Sequence, residues 1–121
     1  MTLKTPQSQG TPSQGTVMIV DDTPANLAVL SDALEESGYR VLVATDGYSA
    51  LEQLHFIKPD VILLDGMMPG MNGFETCHRI KQCDETRNIP ILFMTALGDI
   101  DNLLRGFSEG ALDYIVKPFR N

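Results

Sequence analysis

The chain has 121 residues, 43% of them hydrophobic and 21% charged, and its formal net charge at pH 7 is −7. This is the length and composition of one globular domain, and no stretch is long and apolar enough to predict a membrane span. An acidic domain without a basic run excludes nucleic acid and anionic membranes from its predicted partners, whereas its charge suits a site for a divalent cation.

Residues 1–16 consist mainly of Gln, Ser, Thr, Pro and Gly. Such a segment cannot bury enough apolar surface to offset the entropy of ordering it, so we expect a disordered tail followed by one domain at residues 17–121. The tail has no apolar run of the kind that signal peptides carry. The two cysteines, Cys77 and Cys83, lack a metal-binding spacing. Together these features predict a cytoplasmic protein with free thiols.

From Val17 onward, short apolar runs alternate with segments of helical periodicity. These runs predict five strands, at residues 17–20, 40–44, 61–64, 89–94 and 113–116, and the first run predicts a buried strand. Four helices are predicted between them. The first begins near Pro24 and ends at Gly38, and the second stops before Pro59. Asn72 can cap the start of the third, and Gly110 closes the fourth. Strands that are apolar throughout are typical of a parallel sheet covered on both faces. We therefore predict a doubly wound α/β fold, with a flavodoxin-like five-stranded sheet in the order 2-1-3-4-5.

Polar residues follow four of the predicted strands. These residues are Asp21 and Asp22 after the first strand, Asp65 after the third, Thr95 after the fourth and Lys117 after the fifth. In an open parallel sheet, ligands bind beyond the carboxyl ends of the strands, where the strand order reverses. In the predicted order the first and third strands are neighbours, so the three aspartates should share one pocket.

Three carboxylates in one pocket need a counterion or extra protons, because a like-charged pair at 4 Å costs about 4 kcal/mol at an effective dielectric near 20. Their hard oxygen donors suit Mg²⁺. A carboxylate beside Mg²⁺ can act as a nucleophile and form an aspartyl phosphate, and a threonine hydroxyl and a lysine ammonium can hold the phosphoryl oxygens. This chemistry explains why the apolar run before Asp65 ends in a charge, followed by a loop with few polar side chains.

Each of these residues also has a simpler interpretation. Paired aspartates are common in turns and helix caps. Thr95 is also a suitable cap for the next helix, Lys117 a suitable solvated charge and Tyr114 a suitable core aromatic residue. His55 and His78 stand among polar neighbours on predicted helices, and we interpret both as surface residues.

Four motifs, taken together, are more specific than any one of these residues. They are "VDD" at 20–22, "LLDGMMPGMNG" at 63–73, "MTA" at 94–96 and "YIVKP" at 114–118. In this order and spacing, the chain from Val17 to Phe119 resembles the receiver domains of response regulators in two-component signalling. The resemblance implies that Asp65 is the phosphoacceptor. It also implies that Mg²⁺ is bound by Asp22 directly, by Asp21 largely through water, by Asp65, and by the backbone carbonyl of Met67.

The resemblance assigns further roles near the ends of the last two strands. Thr95 and Tyr114 would form a switch pair, Lys117 would bind the phosphoryl group, and Lys117–Pro118 would be a cis peptide. The residues two positions after the phosphoacceptor and after the threonine tune hydrolysis in the family. Here they are Met67 and Leu97, which offer no polar group to orient a water molecule.

The implied function is that of a phosphoryl-accepting signalling switch. A histidine kinase or a phosphotransfer protein would phosphorylate Asp65 in a Mg²⁺-dependent reaction, and the changed surface would regulate an output module in the same or another chain. The protein would then be no enzyme beyond catalysing its own phosphorylation and dephosphorylation. One alternative is a pseudo-receiver, an interaction module that works without phosphorylation. Another is an aspartate-based phosphatase, but such enzymes carry a DxD motif at the first strand, which is absent here.

The C-terminal sequence "KPFRN" departs from the family, whose members continue into a fifth helix. We therefore expect a receiver domain without that helix, and an uncovered apolar face beside the first helix that includes Ile115. Burial of several hundred Å² at about 25 cal/mol per Å² amounts to several kcal/mol. We accordingly expect a two-fold homodimer that pairs through this uncovered face.

Overall fold

The computed structural model describes residues 15–96 and 113–117, and it describes residues 95, 96 and 113–117 by their backbone alone. These residues form five strands and three helices. The strands are β1 (Thr16–Val20), β2 (Arg40–Ala44), β3 (Val61–Asp65), β4 (Ile91–Ala96) and β5 (Asp113–Lys117). The helices are α1 (Pro24–Glu36), α2 (Gly47–Leu54) and α3 (Gly73–Gln82). Within the described residues no helix is long and apolar enough to cross a membrane.

The sheet confirms the predicted topology. All five strands are parallel and lie in the order β2-β1-β3-β4-β5. β2 lies on the outer side of β1, whereas β4 and β5 lie on the outer side of β3. The carboxyl ends of the neighbouring strands β1 and β3 therefore lie where the strand order reverses. The fourth predicted helix, before Gly110, lies outside the described residues, as do residues 1–14 of the predicted tail and the Lys117–Pro118 peptide.

Two strand starts differ from the predictions for identifiable reasons, and β3, β4 and β5 end one or two residues later than predicted, at Asp65, Ala96 and Lys117. β1 begins at Thr16, which we had placed in the tail, and the Thr16 N–H donates to Asp60 Oδ2 at 2.7 Å. β4 begins at Ile91 rather than at residue 89. Pro90 has no N–H to donate to a sheet, and the Ile89 N–H donates to the Thr86 carbonyl at 3.1 Å instead. The apolar run therefore began two residues before the strand did.

The sheet separates two apolar clusters, because alternate side chains of each strand point to opposite faces. The larger cluster packs under α2 and α3, and it includes Met18, Val20, Ile62, Leu64, Phe74, Ile80 and Phe93. The smaller cluster packs under α1, and its fully buried members are Val17, Ile19, Leu63 and Met94. None of the thirteen residues of α1 is fully buried, whereas α3 has five fully buried residues.

The helix ends follow the predicted signals. Pro24 opens α1, and Gly38, whose φ of 95° is in the left-handed region, follows its end. Asn72 caps α3 by accepting a hydrogen bond from the Glu75 N–H at 2.9 Å. On the exposed face of α3, a hydrogen bond from Arg79 holds the pKa of the Glu75 carboxyl below its usual value.

Candidate functional site

Two buried carboxylates meet at the carboxyl ends of β1 and β3. Val20 and Leu64 form the last pair between these strands, so the next residues, Asp21 and Asp65, lie side by side. Asp21 is 0% exposed and Asp65 is 2% exposed, while Asp22 is exposed at the rim. One carboxylate oxygen from each of the three aspartates lies within 4.8 Å of the others. The structure thus brings together the three aspartates that the sequence placed in one pocket.

The two buried carboxylates are held in similar ways. Asp21 Oδ1 accepts a hydrogen bond from the Thr23 N–H at 2.8 Å, and Asp65 Oδ1 accepts one from the Met67 N–H at 3.1 Å. In both cases the donor is the backbone two residues further along, which is the pattern of an Asx turn. Asp21 Oδ2 also accepts a hydrogen bond from Asn26 Nδ2 at 3.2 Å. These contacts fix the carboxylates in one orientation before any ligand binds.

The loop after Asp65 packs closely against the first turn of α3. The rings of Phe74 and Phe93 stack with their centroids 5.1 Å apart, and Gly66 lies against both. Gly70, with a φ of 74°, supplies the left-handed turn that returns the chain toward α3. The N–H of Gly73 then donates to the Gly66 carbonyl at 3.2 Å. The loop that carries the candidate phosphoacceptor is therefore anchored at both its ends.

The chemistry of the donors fits a hard divalent cation. Three carboxylates whose oxygens lie within 4.8 Å repel one another unless a positive charge neutralises them. Oxygen ligands that include an exposed carboxylate suit Mg²⁺, which retains some of its water when it binds to proteins. Met67 is 61% exposed. Its role as a carbonyl ligand stays a prediction.

The other predicted site residues are placed by the backbone. Thr95 is opposite Val116 in the β4–β5 register, and Lys117 is opposite Ala96 at the carboxyl end of β5. Tyr114 is opposite Phe93 in the same register. Both strands therefore end at the edge of the sheet where the aspartates lie, while the side chains of Thr95, Tyr114 and Lys117 lie outside the described part of the chain.

With this geometry established, the comparison with known proteins is decisive. Residues 17–121 match the response regulator receiver domain family. The chain belongs to this family. Members of the family act in phosphorylation-based two-component signalling, and they are signalling domains rather than enzymes.

Individual relatives agree with this assignment. The receiver domain is 42% identical over 103 residues to the DNA-binding dual master transcriptional regulator RpaA of Synechocystis, with 85% of this chain and 43% of RpaA covered. The chain thus spans less than half the length of that relative. Among solved structures, it is 41% identical to the N-terminal domain of a response regulator receiver protein from Methanoculleus marisnigri, with a TM-score of 0.78 and coverage of 88% of this chain and 86% of that one. The chemotaxis protein CheY4 of Vibrio cholerae is 32% identical, with a TM-score of 0.84 and coverage of 89% and 90%.

Some residues at the site of this receiver domain were missed in the sequence. Asn26 was not singled out, although a polar residue in the first turn of a helix that follows an aspartate pair is well placed to contact that pair. Gly73 and Phe74 were not predicted as residues of the site either. The histidines and cysteines were interpreted correctly, since His55 and His78 are exposed and both cysteines are free thiols.

Proposed function

We propose that this receiver domain is a phosphorylation switch in which Asp65 accepts a phosphoryl group from a histidine kinase or a phosphotransfer protein. The reaction requires Mg²⁺, and the changed surface regulates an output module in the same or another chain. The observation that carries this proposal is the position of Asp65, which is buried at the end of β3 beside Asp21 and Asp22 in a chain of the receiver family.

The proposed step is an in-line displacement at phosphorus. A carboxylate oxygen of Asp65 attacks the phosphorus of a phosphohistidine, a P–O bond forms, and the P–N bond breaks. The leaving imidazole takes up a proton, and Asp65 becomes an acyl phosphate. The hydrogen bond from the Met67 N–H to Asp65 Oδ1 holds the carboxylate in place, so less conformational freedom is lost at the transition state.

The aspartates and a backbone carbonyl would hold the metal ion. Asp22 and Asp65 would bind it directly, Asp21 largely through water, and Met67 through its carbonyl oxygen. When bound, Mg²⁺ neutralises charge on the transferred phosphoryl group. The hydrogen bonds from Thr23 and Asn26 keep the Asp21 carboxylate facing the pocket, and the exposure of Asp22 gives the ion a route in from solvent.

The ends of β4 and β5 would complete the site. We propose that the Lys117 ammonium and the Thr95 hydroxyl contact the phosphoryl oxygens, and that Thr95 and Tyr114 form the switch that changes the surface. The strand register supports this proposal for two of the residues, because Thr95 directly follows Met94, the partner of Asp65, and Lys117 is opposite Ala96 at the carboxyl end of β5. Tyr114 is opposite Phe93, one position before the level of Asp65, on the same strand as Lys117.

The net charge of the chain and its membership of the receiver domain family indicate which partners it binds. We propose that this domain contacts a histidine kinase or a phosphotransfer protein in the cytoplasm. RpaA is named as a DNA-binding regulator, but this chain covers only 43% of it. The net charge of −7 disfavours contact between the receiver domain itself and nucleic acid. DNA binding in a longer protein of this kind would therefore belong to another domain.

Self-association through the α1 face of the sheet is a separate proposal. Leu27, Leu30 and Leu34 on α1 are only partly buried, and no residue of α1 is fully buried. These leucines already pack against the buried cluster of the sheet, so the proposed contact is the sheet face beside α1 together with their exposed remainder. Burying that surface against a second copy would gain about 25 cal/mol per Å² of apolar surface, and a two-fold dimer is the commonest closed arrangement. Light scattering at several concentrations tests this, and a monomer at the highest concentration would contradict it.

Intact-mass measurement tests the central proposal. Incubation with acetyl phosphate and Mg²⁺ should add one phosphoryl group to the parent chain and none to Asp65→Asn, and EDTA should prevent the addition. Labelling of Asp65→Asn to the same extent as the parent would refute the assignment. A folded parent that binds Mg²⁺ but is never labelled would favour the pseudo-receiver alternative.

A further inference from the structure

We propose that Gly73 is a positioning residue for Asp65. Because Gly73 has no side chain, the first turn of α3 packs directly on the main chain of the phosphoacceptor and thereby sets the position of its carboxylate. This inference rests on the proposed phosphorylation of Asp65, and it assigns a role to a residue that contacts neither the metal ion nor the phosphoryl group.

The contact is between backbone and backbone. A Cβ atom at Gly73 would overlap the carbonyl oxygen of Asp65, and it would lie 2.9 Å from the carbonyl carbon of Asp65 and 2.8 Å from Gly66 Cα. Carbon atoms in contact are about 3.5–4.0 Å apart, so a methyl group at this position would displace Asp65 or α3 by roughly 1 Å. The φ of Gly73 is not in the left-handed region. Glycine is therefore required there for space and not for backbone conformation.

Gly66, the residue after Asp65, is also closely surrounded. A Cβ atom at Gly66 would lie 3.3 Å from Phe74 Cζ and 3.5 Å from Phe93 Cδ1, so the stacked rings leave little space for a side chain at this position. The Gly66 N–H also donates to the Met94 carbonyl at 3.3 Å. Asp65 and Gly66 thus contact both the first turn of α3 and strand β4.

A displacement of this size matters because the site depends on short distances. The oxygens of Asp21, Asp22 and Asp65 lie within 4.8 Å of one another, and a metal ion needs them in nearly fixed positions. Changes in residues that support metal ligands typically weaken binding by about 10- to 100-fold. A misplacement of about 1 Å can slow a reaction by about 10²-fold. Gly73→Ala should therefore impair both metal binding and phosphorylation.

Gly47→Ala is a matched control. Gly47 is the first residue of α2, as Gly73 is of α3, and both are buried. A Cβ atom at Gly47 would overlap Thr76 Oγ1 and lie 3.0 Å from Met71 Sδ, which are side-chain rather than backbone atoms, and Asp65 is not among its nearest contacts. The two variants thus share a crowded helix start but differ in whether the crowding falls on the phosphoacceptor.

The experiment compares the parent, Gly73→Ala and Gly47→Ala at a temperature where circular dichroism shows all three to be folded. Binding of Mn²⁺ is followed by loss of the free-ion paramagnetic resonance signal, and the initial rate of labelling by acetyl phosphate is measured at saturating Mg²⁺. Gly73→Ala should bind Mn²⁺ about 10- to 100-fold more weakly and label more slowly, while Gly47→Ala stays close to the parent. Equal changes in the two variants, or none in Gly73→Ala, would overturn the inference.

If Gly73→Ala does not fold, a second pair of variants tests whether the first turn of α3 positions the Asp65–Gly66 segment. Phe74→Leu removes one of the two rings that lie against Gly66 in the first turn of α3, while Ile80→Val makes a small core truncation further along α3. Phe74→Leu should weaken Mn²⁺ binding by about tenfold and Ile80→Val should not, and equal effects would overturn the inference. A parent chain that is never labelled on Asp65 would instead refute the proposed function, so the two failures are distinguishable.

Discussion

Replacement of Asp22 by alanine should change the stability of the domain in opposite directions with and without a divalent cation. Asp22 is the exposed member of the aspartate cluster, and its carboxylate lies within 4.8 Å of those of Asp21 and Asp65. In the metal-free protein, Asp22→Ala removes repulsion and should raise the melting temperature. With Mg²⁺ in excess, the same change removes a ligand and should abolish the metal-dependent gain in stability.

Both effects can be estimated. Two unit charges about 4 Å apart in water repel by about 1 kcal/mol, and the exposure of Asp22 justifies the value for water. A ligand that binds only the folded state stabilises it by about 1.4 kcal/mol when its free concentration is about ten times Kd. For a domain of this size, 1 kcal/mol corresponds to about 4–8 °C in the melting temperature. Both effects are therefore large enough to measure.

Thermal unfolding followed by circular dichroism, in EDTA and in excess Mg²⁺ at low ionic strength, is a suitable assay. Asp32→Ala is the control, because Asp32 is an exposed aspartate on α1 outside the cluster and its removal changes the net charge equally. The parent and Asp32→Ala should gain stability with Mg²⁺, and Asp22→Ala should not. A full gain in Asp22→Ala would refute the reasoning, because the ion would then bind elsewhere.

Three further changes have distinct expected results. Asn26→Ala removes the hydrogen bond to the buried Asp21 carboxylate and should weaken Mg²⁺ binding by about tenfold in a calorimetric titration, and unchanged affinity would show that the bond does not orient the ligand. Replacing both Met67→Asn and Leu97→Glu supplies polar groups that can orient water and should shorten the lifetime of the phosphorylated form, measured by intact mass over time, whereas equal decay rates would rule this out. Gly38→Ala places a side chain at a φ of 95° and should cost about 1 kcal/mol, or about 4–8 °C in melting temperature, and an unchanged value would contradict the strain.

The strands and the aspartate cluster were predictable because they depend on local pattern and simple topology. The runs at residues 17–20 and 61–64 are apolar throughout, which is enough to indicate buried parallel strands. Once β1 and β3 are neighbours, Asp21 and Asp65 must meet at their ends. The start of β4 was predicted two residues too early because the apolar run includes Pro90. Proline has no N–H to donate to a neighbouring strand, and an apolar pattern does not show this loss.

The supporting contacts were not predictable from local pattern, because they depend on how elements approach one another. Nothing in the sequence says that Gly73 lies on the Asp65 carbonyl rather than simply ending a loop. The contact of Gly66 with Phe93 joins residues 27 positions apart, and it requires the β3–β4 pairing before it can be seen. The hydrogen bond from Asn26 to Asp21 depends on the direction in which α1 leaves the sheet.

The most direct test of the central claim is to locate the phosphoryl group on the chain. Borohydride reduces an aspartyl phosphate to homoserine, so reduction after treatment with acetyl phosphate and Mg²⁺ marks the phosphorylated residue, which peptide mass spectrometry then identifies. We predict homoserine at position 65 and an unmodified aspartate at positions 21 and 22. Homoserine at another acidic residue would contradict the assignment. An added phosphoryl group without any homoserine would also do so, because the group would then not be on a carboxylate.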